Sequence, residues 1–148
     1  MVAGSVLEWL KLACIGFVAT GGFAIWFALP RETLLRAGVV GMCGFLLRVL
    51  LLNLGHSLMI GSFFAALFIG VFGYYRARTF NYPRVIFTVT GIIPLVPGIP
   101  AYRALLLFSQ GSVNQGLESA MQGFLVIAAL AAGLTTARAV TFRAAGSM

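Results

Sequence analysis

The chain has 148 residues, 61% hydrophobic and 9% charged, with a mean hydropathy of +1.03 and a formal charge of +7. Water-soluble domains carry about 25% charged residues, so so few ionisable side chains cannot coat a globule, and the composition is that of an integral membrane protein. The arginines sit at the ends of apolar runs and form no basic stripe, which argues against nucleic acid as a partner.

A bilayer span needs ~20 predominantly apolar residues. Five stretches meet that length, at about 6–29, 34–54, 57–76, 85–109 and 117–139. The first could be mistaken for a signal peptide. It carries Glu8 beside Lys11 instead of a basic start, is too long for a signal core, and reaches Leu29-Pro30 without a clear small-residue cleavage site. We read it as a retained span.

The second run carries Gly38, Gly41 and Gly44 three apart, with Cys43 among them and Arg48 further on. In the third, Ser62, Ala66 and Gly70 recur four apart, as Ala129 and Gly133 do in the fifth. Small residues at helical spacing let backbones approach closely, either inside the bundle or against a partner helix. The connections are short and hold turn residues: Pro30-Arg31-Glu32, Asn53-Leu54-Gly55, Arg78 to Pro83, and Gly111 to Asn114. The expected organisation is one transmembrane domain over residues 1–148, all-α, with five transmembrane helices.

Five spans put the two termini on opposite sides. Arg31, Arg36, Arg76, Arg78, Arg84, Arg138 and Arg143 then share one side, and the other offers only Lys11, offset by Glu8. The positive-inside rule places the N-terminus outside and the C-terminus in the cytoplasm. Trp26, Tyr74, Tyr75 and Tyr82 fit aromatic anchors at the cytoplasmic ends, and Trp9 one at the outer end.

Catalytic and metal chemistry find little to work with. Cys14 and Cys43 lie inside apolar runs without CxxC spacing, as packing residues do. His56 is the only histidine and falls at a turn, and no HExxH, GxSxG, P-loop or acidic pair is present. We expect no enzyme, no cofactor and no metal site.

The fourth run is the exception to uniform helix. Residues 91–103 place Pro94, Pro97 and Pro100 three apart, with Gly91, Gly98, Tyr102 and Arg103 around them. Proline removes a backbone donor and clashes with the preceding turn, so the fourth helix should be broken by Pro94, Pro97 and Pro100. Ten residues at ~1.5 Å each bring the chain from Arg84 to Pro94 at about the middle of a ~30 Å core. Non-helical backbone persists there only when protein or water surrounds it. Discontinuous helices of this kind build substrate sites in transporters. A helix restarting at Pro100 would aim its positive end at the break, and the freed carbonyls could accept from an ammonium group or a cation. A small-molecule substrate bearing both charges, such as an amino acid, fits that pairing.

Pro94, Pro97, Gly98, Tyr102, Arg103 and Arg48 are therefore the candidate substrate-binding residues. Two readings fit Arg48 and Arg103: they line a pathway, or their long side chains snorkel to the outer interface. Glu118 reads as an interfacial charge at a helix N-terminus.

The run Ile93-Pro94-Leu95-Val96-Pro97-Gly98 followed by Tyr102 resembles the Pro-x-x-Pro-Gly segment of the threonine/serine exporter family. Phe27 to Arg31, then Gly41, Gly44 and Arg48, resembles the start of the same module, and the likeness covers about residues 15–110. It is to the small-subunit type, the C-terminal membrane half of the fused exporters. The resemblance implies a subunit of a two-component secondary transporter in the bacterial inner membrane, exporting threonine and serine or dicarboxylates such as succinate. It also implies a larger five-span subunit as partner. A homo-oligomer is the alternative assembly, and a non-transporting membrane scaffold for the larger chain is the rival function.

Overall fold

The computed structural model describes residues 5–80 and 83–146, without the side chains of residues 79, 80, 86 and 143–146. Tyr82 and the side chain of Arg143 lie outside the described residues. The described chain is helical throughout, with no strand. Helices α1 (Val6–Trp26), α2 (Arg31–Asn53) and α3 (Leu58–Phe80) precede α4 (Arg84–Ile92), a 3-10 turn (Ile93–Leu95), α5 (Gly98–Ser109) and α6 (Val113–Gly146).

Local chemistry sets the boundaries. Ser5 and Glu8 form a reciprocal capping box at the start of α1, Ser5 Oγ accepting from Glu8 N–H and Glu8 Oε2 from Ser5 N–H. Pro30 and Pro83 precede α2 and α4, where a missing donor costs nothing. Gly55 and Gly111 turn the chain at φ +87° and +77°, a region that favours glycine. Helix α6 begins earlier and runs further than the apolar window 117–139. Its alanine-rich C-terminal turns propagate helix well past the hydrophobic stretch.

Helices α1, α2, α3 and α6 are each long and apolar enough to cross a bilayer. The stretch Phe87–Leu95 and helix α5 pass the same test together but are bent by 49°, so the chain has four or five candidate spans.

The small-residue stripes are spent inside the bundle. A Cβ at Gly38 would fall against the Phe17 ring, at Gly41 against Thr20, and at Gly44 against Ile69, so α2 is clasped between α1 and α3. A Cβ at Gly133 would strike the Phe63 carbonyl and Ala66, and one at Gly70 would meet Ala137, which brings α6 close along α3. One buried cluster joins Val40, Ala65, Ile69, Leu95, Val126 and Leu130. A second joins Ala24, Leu29, Ala37, Ala77 and Phe87. The second cluster gathers the C-terminal ends of α1 and α3 with the N-terminal ends of α2 and α4. Arg31, Arg36, Arg76, Arg78 and Arg84 therefore share one end of the bundle, and Arg138 lines a cleft with Arg84 there.

Tyr74 departs from the belt expected for it. It is buried, and the Arg84 guanidinium stacks 3.8 Å from its ring centroid. Tyr75 and Trp26 are exposed, as anchors would be.

Overpacking a close helix contact costs about 1–3 kcal/mol. Gly133→Leu should therefore lower the unfolding midpoint in a detergent denaturation series. Gly22→Leu should not, because a Cβ at Gly22 meets nothing within 4 Å.

Candidate functional site

Helix α4 enters the bundle on its small face. A Cβ at Gly91 would lie 2.8 Å from Ile69 Cγ2 and 3.8 Å from the Gly41 Cα, so only glycine lets α4 sit this deeply between α2 and α3. Phe87 and Leu95 are fully buried on either side of it. Pro94 then occupies the middle of the 3-10 turn, and Val96 leaves the helix at φ −59°, ψ 132°. Val96 N–H donates to the Ile93 carbonyl at 3.1 Å, and Gly98 N–H to the Val96 carbonyl at 2.8 Å. Pro97 caps α5, which starts at Gly98, and the Ala101 N–H donates to the Pro97 carbonyl at 3.2 Å. The helix thus restarts two residues before Pro100, whose missing donor falls harmlessly in the first turn.

The Leu95 carbonyl receives a guanidinium. Arg48 Nη1, from α2, donates to it at 2.7 Å. In an unbroken helix that oxygen would take the N–H four residues on, from Ile99. Arg48 is partly buried and its guanidinium lies at the turn, on an acceptor that neither sequence reading names. Gly61 on α3 leaves it room, since a Cβ there would come within 3.3 Å of the Arg48 carbonyl and 3.4 Å of its Cγ.

The other expected residues divide between interior and surface. Pro97 is buried and Pro94 half-buried at the turn, beside the Arg48 contact. Gly98 is exposed, with open space around it and no atom within 4 Å of a Cβ built there. Tyr102 is 67% exposed and Arg103 is also exposed, so neither meets Arg48 through this chain's own contacts. Helix α5 packs mainly on α6, with Pro100 against Gly123 and Phe108 against Gly116, and this leaves the Ile99–Tyr102 side uncovered.

A cleft of about 630 Å³ lies between α4 and α6, lined by Arg84, Thr88, Ile93, Val96, Leu134 and Arg138 among others. Sequence reasoning used Arg84 and Arg138 only as topology markers. Their pairing spans 54 positions, and no local pattern announces it. Glu118 and His56 are exposed near helix ends, and no cluster of three or more metal-ligating side chains occurs among the described residues.

Arg48→Met removes one charge-assisted hydrogen bond, worth about 1.5–3 kcal/mol. Faster amide hydrogen exchange should follow at residues 95–101, with little change in the α3–α6 contact. Unchanged exchange at those residues would mean that the bend holds itself.

A family model described as Threonine/Serine exporter, ThrE matches residues 12–140. An uncharacterized protein of Haemophilus influenzae is 28% identical over 145 residues, covering 90% of this chain and 49% of that protein. The chain thus spans about half the length of this curated relative. No solved structure matches. The family match covers most of the chain, and the chain belongs to the threonine/serine exporter family, a family of membrane transporters and not of enzymes.

Proposed function

We propose that this chain is one half of a secondary exporter that moves small hydroxy amino acids such as threonine and serine out of the bacterial cytoplasm. The observation that carries this reading is the bent, interrupted passage from Arg84 to Ser109 in a member of an exporter family. In this reading the passage is a fifth span broken at its proline segment, and residues 1–148 work as one transmembrane domain. Pro94, Pro97 and Gly98 shape the site, and Tyr102 contributes its hydroxyl. Arg103 attracts the substrate carboxylate. Arg48 spends one donor on Leu95 and keeps others for the substrate, since a guanidinium carries five N–H groups.

The partner is a second membrane bundle, the larger five-span subunit, in line with a relative about twice as long. The arginine-rich end faces the cytoplasm, as the positive-inside rule requires, and the loop at Ser112 faces outward. Driving force comes from the proton gradient, with the proton carried on the partner half. A cysteine placed at Ser112 should then react with a membrane-impermeant maleimide in intact cells, in a background lacking Cys14 and Cys43. A cysteine replacing Ala139 should react only after lysis.

Gly98→Leu gives the sharpest test of the site. A side chain there meets open space, so stability should stay within about 0.5 kcal/mol of the parent. Efflux of preloaded labelled threonine should nonetheless fall to background, because the leucine occupies the substrate's approach. Normal efflux from a folded Gly98→Leu protein rejects this site. A partner that transports alone at full rate would make the chain a scaffold.

Dicarboxylate export is the second reading, favoured by two cationic side chains, Arg48 and Arg103, near one interruption. Succinate should then compete with labelled threonine in vesicles holding both halves. Absence of competition leaves the amino-acid reading standing.

A further inference from the structure

The cleft between α4 and α6 has two chemically distinct parts. At its mouth lie Arg84 and Arg138, which also line an adjoining hollow with Ala139 and Phe142. Its inner walls are mostly aliphatic: Val85, Val89, Ile92, Ile93, Val96 and Leu134. The two threonines among them, Thr88 and Thr141, donate their hydroxyls to the Arg84 and Ala137 carbonyls of their own helices. No acidic side chain lines either cavity, so two like charges share one opening without a carboxylate between them. Stacking on the Tyr74 ring fixes the Arg84 guanidinium in place. A polar amino acid would find only those two threonine oxygens as acceptors among aliphatic walls, and burying its remaining polar groups without partners is costly.

Depth identifies the occupant. Arg84 and Ile93 are nine residues apart on nearly continuous helix, about 14 Å at ~1.5 Å per residue. Half of a ~30 Å hydrocarbon core is about the same length. The cleft therefore runs from a cationic rim to mid-membrane, the reach of one leaflet's acyl chains. Its floor is the proline turn itself, through Ile93 and Val96.

We propose that this cleft is a binding site for an anionic phospholipid, with Arg84 and Arg138 on the phosphate and one acyl chain lying against α4 and ending at the turn. Basic pockets between transmembrane helices hold lipid headgroups in this manner. The site rests on the reading of Arg84–Ser109 as a membrane-embedded passage and not on which solute is exported, so loss of efflux selectivity and loss of lipid labelling are separate outcomes.

The test uses the full chain in phosphatidylcholine liposomes doped with phosphatidylglycerol whose acyl chain carries a terminal photoactivatable diazirine. Irradiation should label the peptides containing Ile93, Val96 and Leu134. Unlabelled phosphatidylglycerol should compete, while phosphatidylcholine and soluble glycerol 3-phosphate should not. Arg84→Gln with Arg138→Gln should cut specific labelling about tenfold or more, and the paired lysine substitutions should restore most of it. Val89→Trp fills the cleft while sparing both arginines and should abolish labelling at Val96. Equal labelling by a phosphatidylcholine probe, competition by glycerol 3-phosphate, or full labelling in Val89→Trp would each overturn the assignment.

Discussion

The hydrogen bond from Arg48 to the Leu95 carbonyl is the contact on which this bundle turns. Hydrocarbon offers no water to an exposed peptide group, and each unsatisfied one costs several kcal/mol. The chain can afford a break at membrane depth only if its freed carbonyls find donors. Local turns serve Ile93, Val96 and Pro97, through the N–H groups of Val96, Gly98 and Ala101. Leu95 is served from another helix. That one long-range bond requires α2 to stand beside the turn and α3 to offer Gly61 beneath it. The glycines of α2 and α4 then become a necessity of position, because Gly41, Gly44 and Gly91 admit the neighbours that hold the turn in the core.

Much of this was legible in the sequence, and the legible part was local. Apolar run length gave the helices, and Pro30, Gly55 and Gly111 gave the turns. Pro94 and Pro97 signalled a departure from α-helix because proline acts on its own backbone and on its predecessor. Pro100 was read as the restart of the helix, yet the helix begins at Gly98, since a first turn tolerates proline at more than one place. The partners of the small residues were not readable, because spacing names a face and not what meets it. Arg48 shows the limit most clearly. Sequence placed it near the outer end of a span and offered lipid or ligand as its neighbour. Its actual acceptor is a carbonyl 47 positions away, exposed only because three-dimensional packing puts an interrupted helix beside it.

The two halves of the bent passage live in different surroundings. Helix α4 is embedded among α1, α2 and α3, with Phe87 buried and Arg84 pinned on Tyr74. Helix α5 leans mainly on α6 and turns Ile99, Tyr102 and Leu105 outward. The joint between them is an extended Val96 followed by a tight turn at Pro97, closed by the Gly98 N–H on the Val96 carbonyl, with the Arg48 guanidinium on the Leu95 carbonyl just before it. A tethered half and a lightly held half, meeting at such a joint, give a mechanical contrast that a continuous helix lacks. Helix α6 stays locked along α3 through Gly70 and Gly133, so any displacement of α5 relative to α4 would concentrate its dihedral change at this joint.

Exposure on α5 has an energetic consequence. Aliphatic side chains such as Ile99 and Leu105 can face lipid freely, but Arg103 cannot do so without penalty, and Tyr102 carries a hydroxyl that needs a partner. Lipid tails supply neither an anion nor an acceptor. The groups that satisfy these two residues come from outside the described bundle: interfacial water or headgroups reached by snorkelling, water in a pathway, a substrate, or a second polypeptide. Membership of an exporter family is compatible with each of these, and with Arg103 reaching the interface past the end of α5. Gly98 lies at the start of that side with nothing packed against it, so this chain alone leaves that space open.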